Sequence, residues 1–179
     1  MTPALSGFMR PASDPMVRWP RLSSPRAAAA ASVVSLVALV AAACTGALKP
    51  LEARLVLVMA AHPLPTWYFP TFLLLGSLLP LLVRLLRRRD QALRRLLDPY
   101  LILLAGQIAT EVVLVLLAGK GLGVIVGFWF TLMRLWQLLQ LRINAARMPG
   151  IQMLFTLELV LWVVNALHIV LRRLLLLAA

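Results

Sequence analysis

Arg134 and Glu158 each stand near the middle of a long apolar run, 122–141 and 151–171, and a short break at Met148-Pro149-Gly150 separates the runs. Each run has about the ~20 residues that a helix needs to cross a bilayer core. Counted outward from a turn near Ala146, the two residues lie equally far along their helices, so they are expected at one depth and as an ion pair. Ionisable groups at that depth are costly. They face the bundle interior and mark ion pathways, proton relays or counter-ion sites.

Other polar residues fall into the same pattern. Gln107, Thr110 and Glu111 share one face of the run at 99–118, as do Arg134 and Gln137 in the next. Glu158 and Asn165 are two turns apart in the last run, with His168 one turn beyond. Three successive helices with one polar stripe each are expected to turn those stripes toward each other. At ~1.5 Å rise per residue, Gln107, Arg134 and Glu158 come out level near the middle. Glu111, Asn165 and His168 form a second layer toward the outer side. Such a network either locks three helices together or serves an anionic or protonatable ligand. Glu111 has no evident cationic partner, and a carboxyl there either hydrogen-bonds in neutral form or relays a proton.

Other chemistry is sparse. There is no Gly-x-Ser-x-Gly, no His-Glu-x-x-His and no phosphate loop. These absences argue against an enzyme. His62 and His168 are read as interfacial hydrogen-bonding groups, because no second histidine sits at matched depth for a haem or a metal. No cofactor and no metal are expected. The single cysteine, Cys44, excludes an internal disulfide. Arg87, Arg88, Arg89, Arg94 and Arg95 are candidates for contact with lipid headgroups or a partner.

The elements that hold these residues follow from composition. Of 179 residues, 62% are hydrophobic and 13% charged, where a soluble domain has about a quarter charged. The mean hydropathy is +0.92. Long Leu, Val and Ala runs without alternation exclude a transmembrane barrel. The fold class is an all-α integral membrane protein, a bundle of about five transmembrane helices with a short interfacial segment. A basic cytoplasmic tail, 1–26, precedes a bundle at 27–173, with spans at 27–48, 68–86, 99–118, 122–141 and 151–171. The first span ends with Ala41-Ala42-Ala43-Cys44, which also suits signal or lipoprotein cleavage. Because several spans follow, it is expected to be retained. Ala38, Ala42 and Gly46 give it a small-residue face for a neighbouring helix. Residues 50–66, broken by Pro63 and Pro65, form the interfacial or re-entrant piece. Pro80 is expected to kink the second span. The stretch 84–95 is expected as an amphipathic surface helix with Asp90 and Arg94 paired, and Asp98-Pro99 as the start of the third span. Gly119, Gly123 and Gly127, four apart, predict a groove for self-association or another membrane protein.

The formal net charge of +12 does not indicate nucleic acid, because the arginines cluster at the ends of apolar runs. With the N-terminus inside, the inner side collects Arg10, Arg18, Arg21 and Arg26, six arginines in 84–95, Arg142 and Arg147. The outer side collects Lys49, Arg54, Lys120, Arg172 and Arg173. That bias predicts a cytoplasmic N-terminus. Arginine outnumbering lysine alongside much Ala, Leu and Pro points to a bacterial inner membrane. The leading expectation is a non-enzymatic accessory or assembly factor that packs against other membrane proteins. The alternative is a small oligomeric transporter or proton-coupled channel that uses the intramembrane Glu, Arg and His.

Overall fold

The computed structural model describes residues 22–61, 63–167 and 175–176. The basic tail up to Arg21, and with it His62, His168, Arg172 and Arg173, lies outside the described residues. Within them the chain is an all-α bundle, and five helices are long and apolar enough to cross a membrane.

The first span is α1, Pro25–Cys44. Ser24 caps it by accepting a hydrogen bond from the Ala27 amide at 3.2 Å, and Pro25 follows in the first turn, where its missing N–H costs nothing. Thr45 and then Gly46 end it, the glycine with φ +73° in the left-handed conformation that often stops helices. Gly46 is therefore a terminator, and the expected face of Ala38, Ala42 and Gly46 is not the packed one, since Ala38 is exposed. The packed face carries Ala28, Ser32 and Ser35 instead. It lies along the third span so closely that a Cβ on Gly106 would overlap the Ser32 side chain.

A short helix, α2 (Lys49–Ala61), occupies the segment expected at the interface. Its 13 residues reach about 20 Å at the usual rise, too short for a bilayer core. Leu55 is fully buried, and the helix covers the tight turn between the third and fourth spans. A Cβ on Gly121 would stand 2.6 Å from the Glu52 carbonyl oxygen.

The second span, Tyr68–Leu86, is broken. It runs as α3 (Tyr68–Leu73), a π-helical turn (Leu74–Leu78) and α4 (Leu79–Leu86). Pro80 sits in the first turn of α4, just after the wide turn, so two features that bend helices, a proline and a π-helical turn, fall together here. The third span is α5, Gln91–Ala118, a continuous helix of 28 residues. Here the structure corrects two expectations. There is no separate surface helix over 84–95, and Pro99 lies inside α5 rather than at its start. The cause is local. Asp90 is the cap, accepting from the Leu93 amide at 3.0 Å. Leu93, Leu96 and Leu97 are then buried in the main apolar core, which offsets the roughly 3 kcal/mol cost of an internal proline. Asp98 pairs with Arg84 at 2.5 Å, tying α5 to α4.

Gly119, with φ +108°, makes the sharp turn into a 3-10 turn (Lys120–Leu122) and the fourth span, α6 (Gly123–Asn144). The fifth span begins with α7, Pro149–Val164. Gln140 Oε1 accepts from the Ser23 amide at 3.1 Å. That contact and the Arg84–Asp98 pair place the start of α1, the α4–α5 junction and the end of α6 at one end of the bundle. The α2 helix and the 120–122 turn lie at the other.

Candidate functional site

The site forms where four spans meet, and it begins with a backbone defect. Pro80 has no N–H to offer the carbonyl four residues back, which belongs to Gly76. The phenol of Tyr100 on α5 donates to that Gly76 oxygen at 2.7 Å. The same phenol oxygen lies 2.9 Å from Glu158 Oε2 on α7. A phenol carries one hydrogen, so the Gly76 carbonyl and the Glu158 carboxyl oxygen compete for it. Tyr100 and Glu158 are both fully buried.

Arg134 on α6 comes in beside this pair, also fully buried. Its guanidinium carbon lies 4.8 Å from the centre of the Tyr100 ring and 4.5 Å from that of Trp162. Two ring faces thus take the cation, each worth ~0.5–2 kcal/mol depending on desolvation. Its Nη2 donates to Gln107 Oε1 at 3.1 Å. Arg134 Nε and Nη1, and Glu158 Oε1, have no hydrogen-bond partner.

The expected direct pairing of Arg134 with Glu158 is therefore corrected. No ion pair joins them, and the Tyr100 phenol is what Glu158 contacts. Depth counting sets the level of a residue but not its rotation about the helix, and the rotation presents Arg134 to rings. The two aromatic members, Tyr100 and Trp162, were missed because in an apolar run they read as core or lipid-facing residues. A signal was present: a tyrosine hydroxyl that becomes buried needs a partner, and Pro80 leaves a carbonyl in need of one.

The remaining predicted residues divide. Gln137 does not meet another polar side chain of the network. Its Nε2 donates to backbone oxygens, Pro99 at 2.8 Å and Leu22 at 3.0 Å, binding α6 to α5 and to the segment before α1. Asn165 does not meet Glu111 either. It donates to Thr131 Oγ1 at 3.0 Å and accepts from the Tyr68 hydroxyl at 2.9 Å. Glu111 is exposed and makes no hydrogen bond within the described residues. His168 lies outside them, so the expected outer layer is represented here by Glu111 and Asn165 alone.

Glu111 and Asn165 nevertheless line one cleft of about 310 Å³, together with Tyr68, Phe72, Gln107 and Trp162. The fourth span contributes Gly123 and Gly127 to it. A Cβ on Gly123 would lie 3.3 Å from Glu111 Oε1, and one on Gly119 would overlap the Glu52 carboxylate. The expected three-glycine groove is thus filled from within the chain at two positions, and Gly127 alone is open, with nothing within 4 Å. Arg87, Arg88, Arg89, Arg94 and Arg95 are all exposed near the α4–α5 junction. Among the described residues no group of three or more His, Cys, Asp and Glu side chains comes together as a metal site.

Comparison with family models, curated proteins and solved structures finds no match to this chain.

Proposed function

We propose that this chain is an accessory or assembly protein of a bacterial inner membrane, without an enzymatic step of its own, whose bundle packs against other membrane proteins. One observation carries the reading. The lining of the cleft reaches Gln107 and Trp162. Leu93, Leu97, Leu138, Leu141, Leu154 and Phe155, which pack together with Tyr100 in the apolar core between α5, α6 and α7, do not belong to it. A conducting path needs polar groups or water on both sides of its gate, and here the polar groups of the middle layer tie helices to one another. A module locked in this way suits binding more than alternating access.

The outer faces are consistent with that role. Between α1 and α6 runs an apolar groove of about 710 Å³, floored by Ala27, Ala30 and Ala31 and walled by Trp129 and Trp136. Small residues of this kind permit close approach of helices. This reading puts the N-terminus in the cytoplasm. The end of the bundle at which α1 starts also carries Arg84, Arg87–Arg89, Arg94 and Arg95, with Arg142 and Arg147 just beyond, and basic flanks favour that side.

Purification of the tagged chain from its native membrane in mild detergent tests the reading. A stable complex with other membrane proteins is the expected result. A lone symmetric oligomer would favour transport instead.

A further inference from the structure

We propose that the cleft between the second, third, fourth and fifth spans binds the ammonium head of an amphiphile, a primary or quaternary amine on an apolar body, with Glu111 as its counter-charge. The volume of about 310 Å³ falls in the range of small-molecule sites, which pair apolar walls with a few placed polar groups. One wall is aromatic. The Tyr68 and Phe72 rings stand 4.7 Å apart between centroids, and Phe72 meets Trp162 at 5.3 Å and 80°. Ring faces attract cations, and quaternary ammonium groups most characteristically.

The side-chain oxygens of the cleft are committed elsewhere, with one exception. Asn165 is bonded at both ends of its amide, to Tyr68 and to Thr131. Ser77 donates to the Phe72 carbonyl, and Gln107 Oε1 accepts from Arg134. Glu111 is the exception. It lies about 10 Å along the helix from the α5 terminus at Ala118, within the apolar span, with no hydrogen bond. Glycine at 123 leaves room beside its carboxyl group. A carboxylate at such a depth is costly without a counter-charge, and a bound cation supplies it. Arg134, the nearest intramembrane cation, is turned into the Tyr100 and Trp162 rings. Lys120, the other charged residue of the lining, is exposed in the turn before α6 and makes no ion pair with Glu111.

The route in is lateral. Phe69, Leu73 and Ile108, at the edge of the cleft, are about half or more exposed, at 73%, 49% and 53%. The apolar body of the ligand therefore remains in the lipid while the head enters. This inference does not rest on the assembly reading, since the isolated chain is enough to test it.

The purified protein is titrated in neutral-detergent micelles with decyltrimethylammonium, decanol and decanoate, following tryptophan emission. Saturable binding of decyltrimethylammonium alone is expected. Glu111→Gln should weaken it by about tenfold or more, the scale of one lost charge contact with a cation, while Glu111→Asp retains the preference. Gly123→Ala, which crowds the carboxyl group without removing it, should weaken it as well. Equal binding of the three compounds, or unchanged affinity in Glu111→Gln, would overturn the proposal. So would a preference for decanoate. Loss of a heteromeric complex on purification would leave this result untouched, so the two readings fail separately.

Discussion

Removing the hydroxyl of Tyr100 while keeping its ring isolates the joint between the second and third spans. In Tyr100→Phe the aromatic face over Arg134 remains, at 4.8 Å from the guanidinium carbon. The 2.7 Å bond to the Gly76 carbonyl and the 2.9 Å contact with Glu158 are lost. A buried carbonyl left without a donor costs ~1–3 kcal/mol in soluble proteins. Interhelical bonds in a bilayer average nearer ~0.6 kcal/mol, with a maximum of about 1.7. Two contacts together therefore give about 1–3 kcal/mol of lost stability. A second substitution separates them. Pro80→Ala returns an N–H four residues beyond Gly76, so in that background the carbonyl has a donor in its own helix. Tyr100→Phe should then cost only the Glu158 contact, roughly half as much, a coupling of ~0.5–1.5 kcal/mol on the same scale. Equilibrium unfolding of the four proteins in mixed micelles with increasing dodecyl sulfate measures the cycle. Costs that add to within about 0.5 kcal/mol, the behaviour of independent sites, would refute the idea that Tyr100 compensates for Pro80.

Arg134→Leu and Glu158→Leu should each lower the yield of folded protein. The double change should recover part of the loss, by less than the ~3–5 kcal/mol of a directly broken buried pair, because the two groups do not touch. Glu158→Gln keeps the shape and an acceptor oxygen for the Tyr100 phenol and should be the mildest change at that position, as thermal melting of the three Glu158 proteins would show. Gly106→Ala should reduce folded yield severalfold, since the new methyl overlaps the Ser32 side chain. Adding Ser32→Gly should restore it, because the Ser32 Cα stands 3.5 Å clear; no rescue would mean that the α1–α5 approach is not what Gly106 serves. A cysteine placed at Gln91 in a Cys44→Ala background should react with membrane-impermeant maleimide only from the cytoplasmic side, and labelling from outside would reverse the assigned orientation.

The membrane class and the number of spans were legible because apolar runs of bilayer length have few other uses. Helix ends were less so. Asp98-Pro99 looked like a helix start, and Asp90 did the capping eight residues earlier, because the buried side chains of Leu93, Leu96 and Leu97 draw the helix back past the proline. The level of Arg134 with Gln107 followed from counting along the chain, and a hydrogen bond joins them. The partner of Glu158 did not follow, since rotation about a helix axis is set by packing that has no trace in spacing. The glycines at 119 and 123 were read as a surface for another chain. Small residues record only that something approaches closely, and here it is Glu52 and Glu111 of the same chain.

The close neighbour of the first span is the third, and this matters for how the chain is made. While the ribosome extends through α2 and the broken second span, α1 waits in the membrane without the helix it will pack against. Its two buried polar side chains are provided for in the meantime. Ser32 Oγ donates to the Ala28 carbonyl at 2.9 Å and Ser35 Oγ to the Ala31 carbonyl at 2.7 Å, both within α1 itself. A serine that bonds to its own preceding turn is tolerable in lipid and still small enough to admit Gly106 later. An asparagine or lysine at position 32 would meet the hydrocarbon unaccompanied for the several seconds of synthesis that separate the two spans. The choice of serine thus answers to the order of translation as well as to the finished bundle.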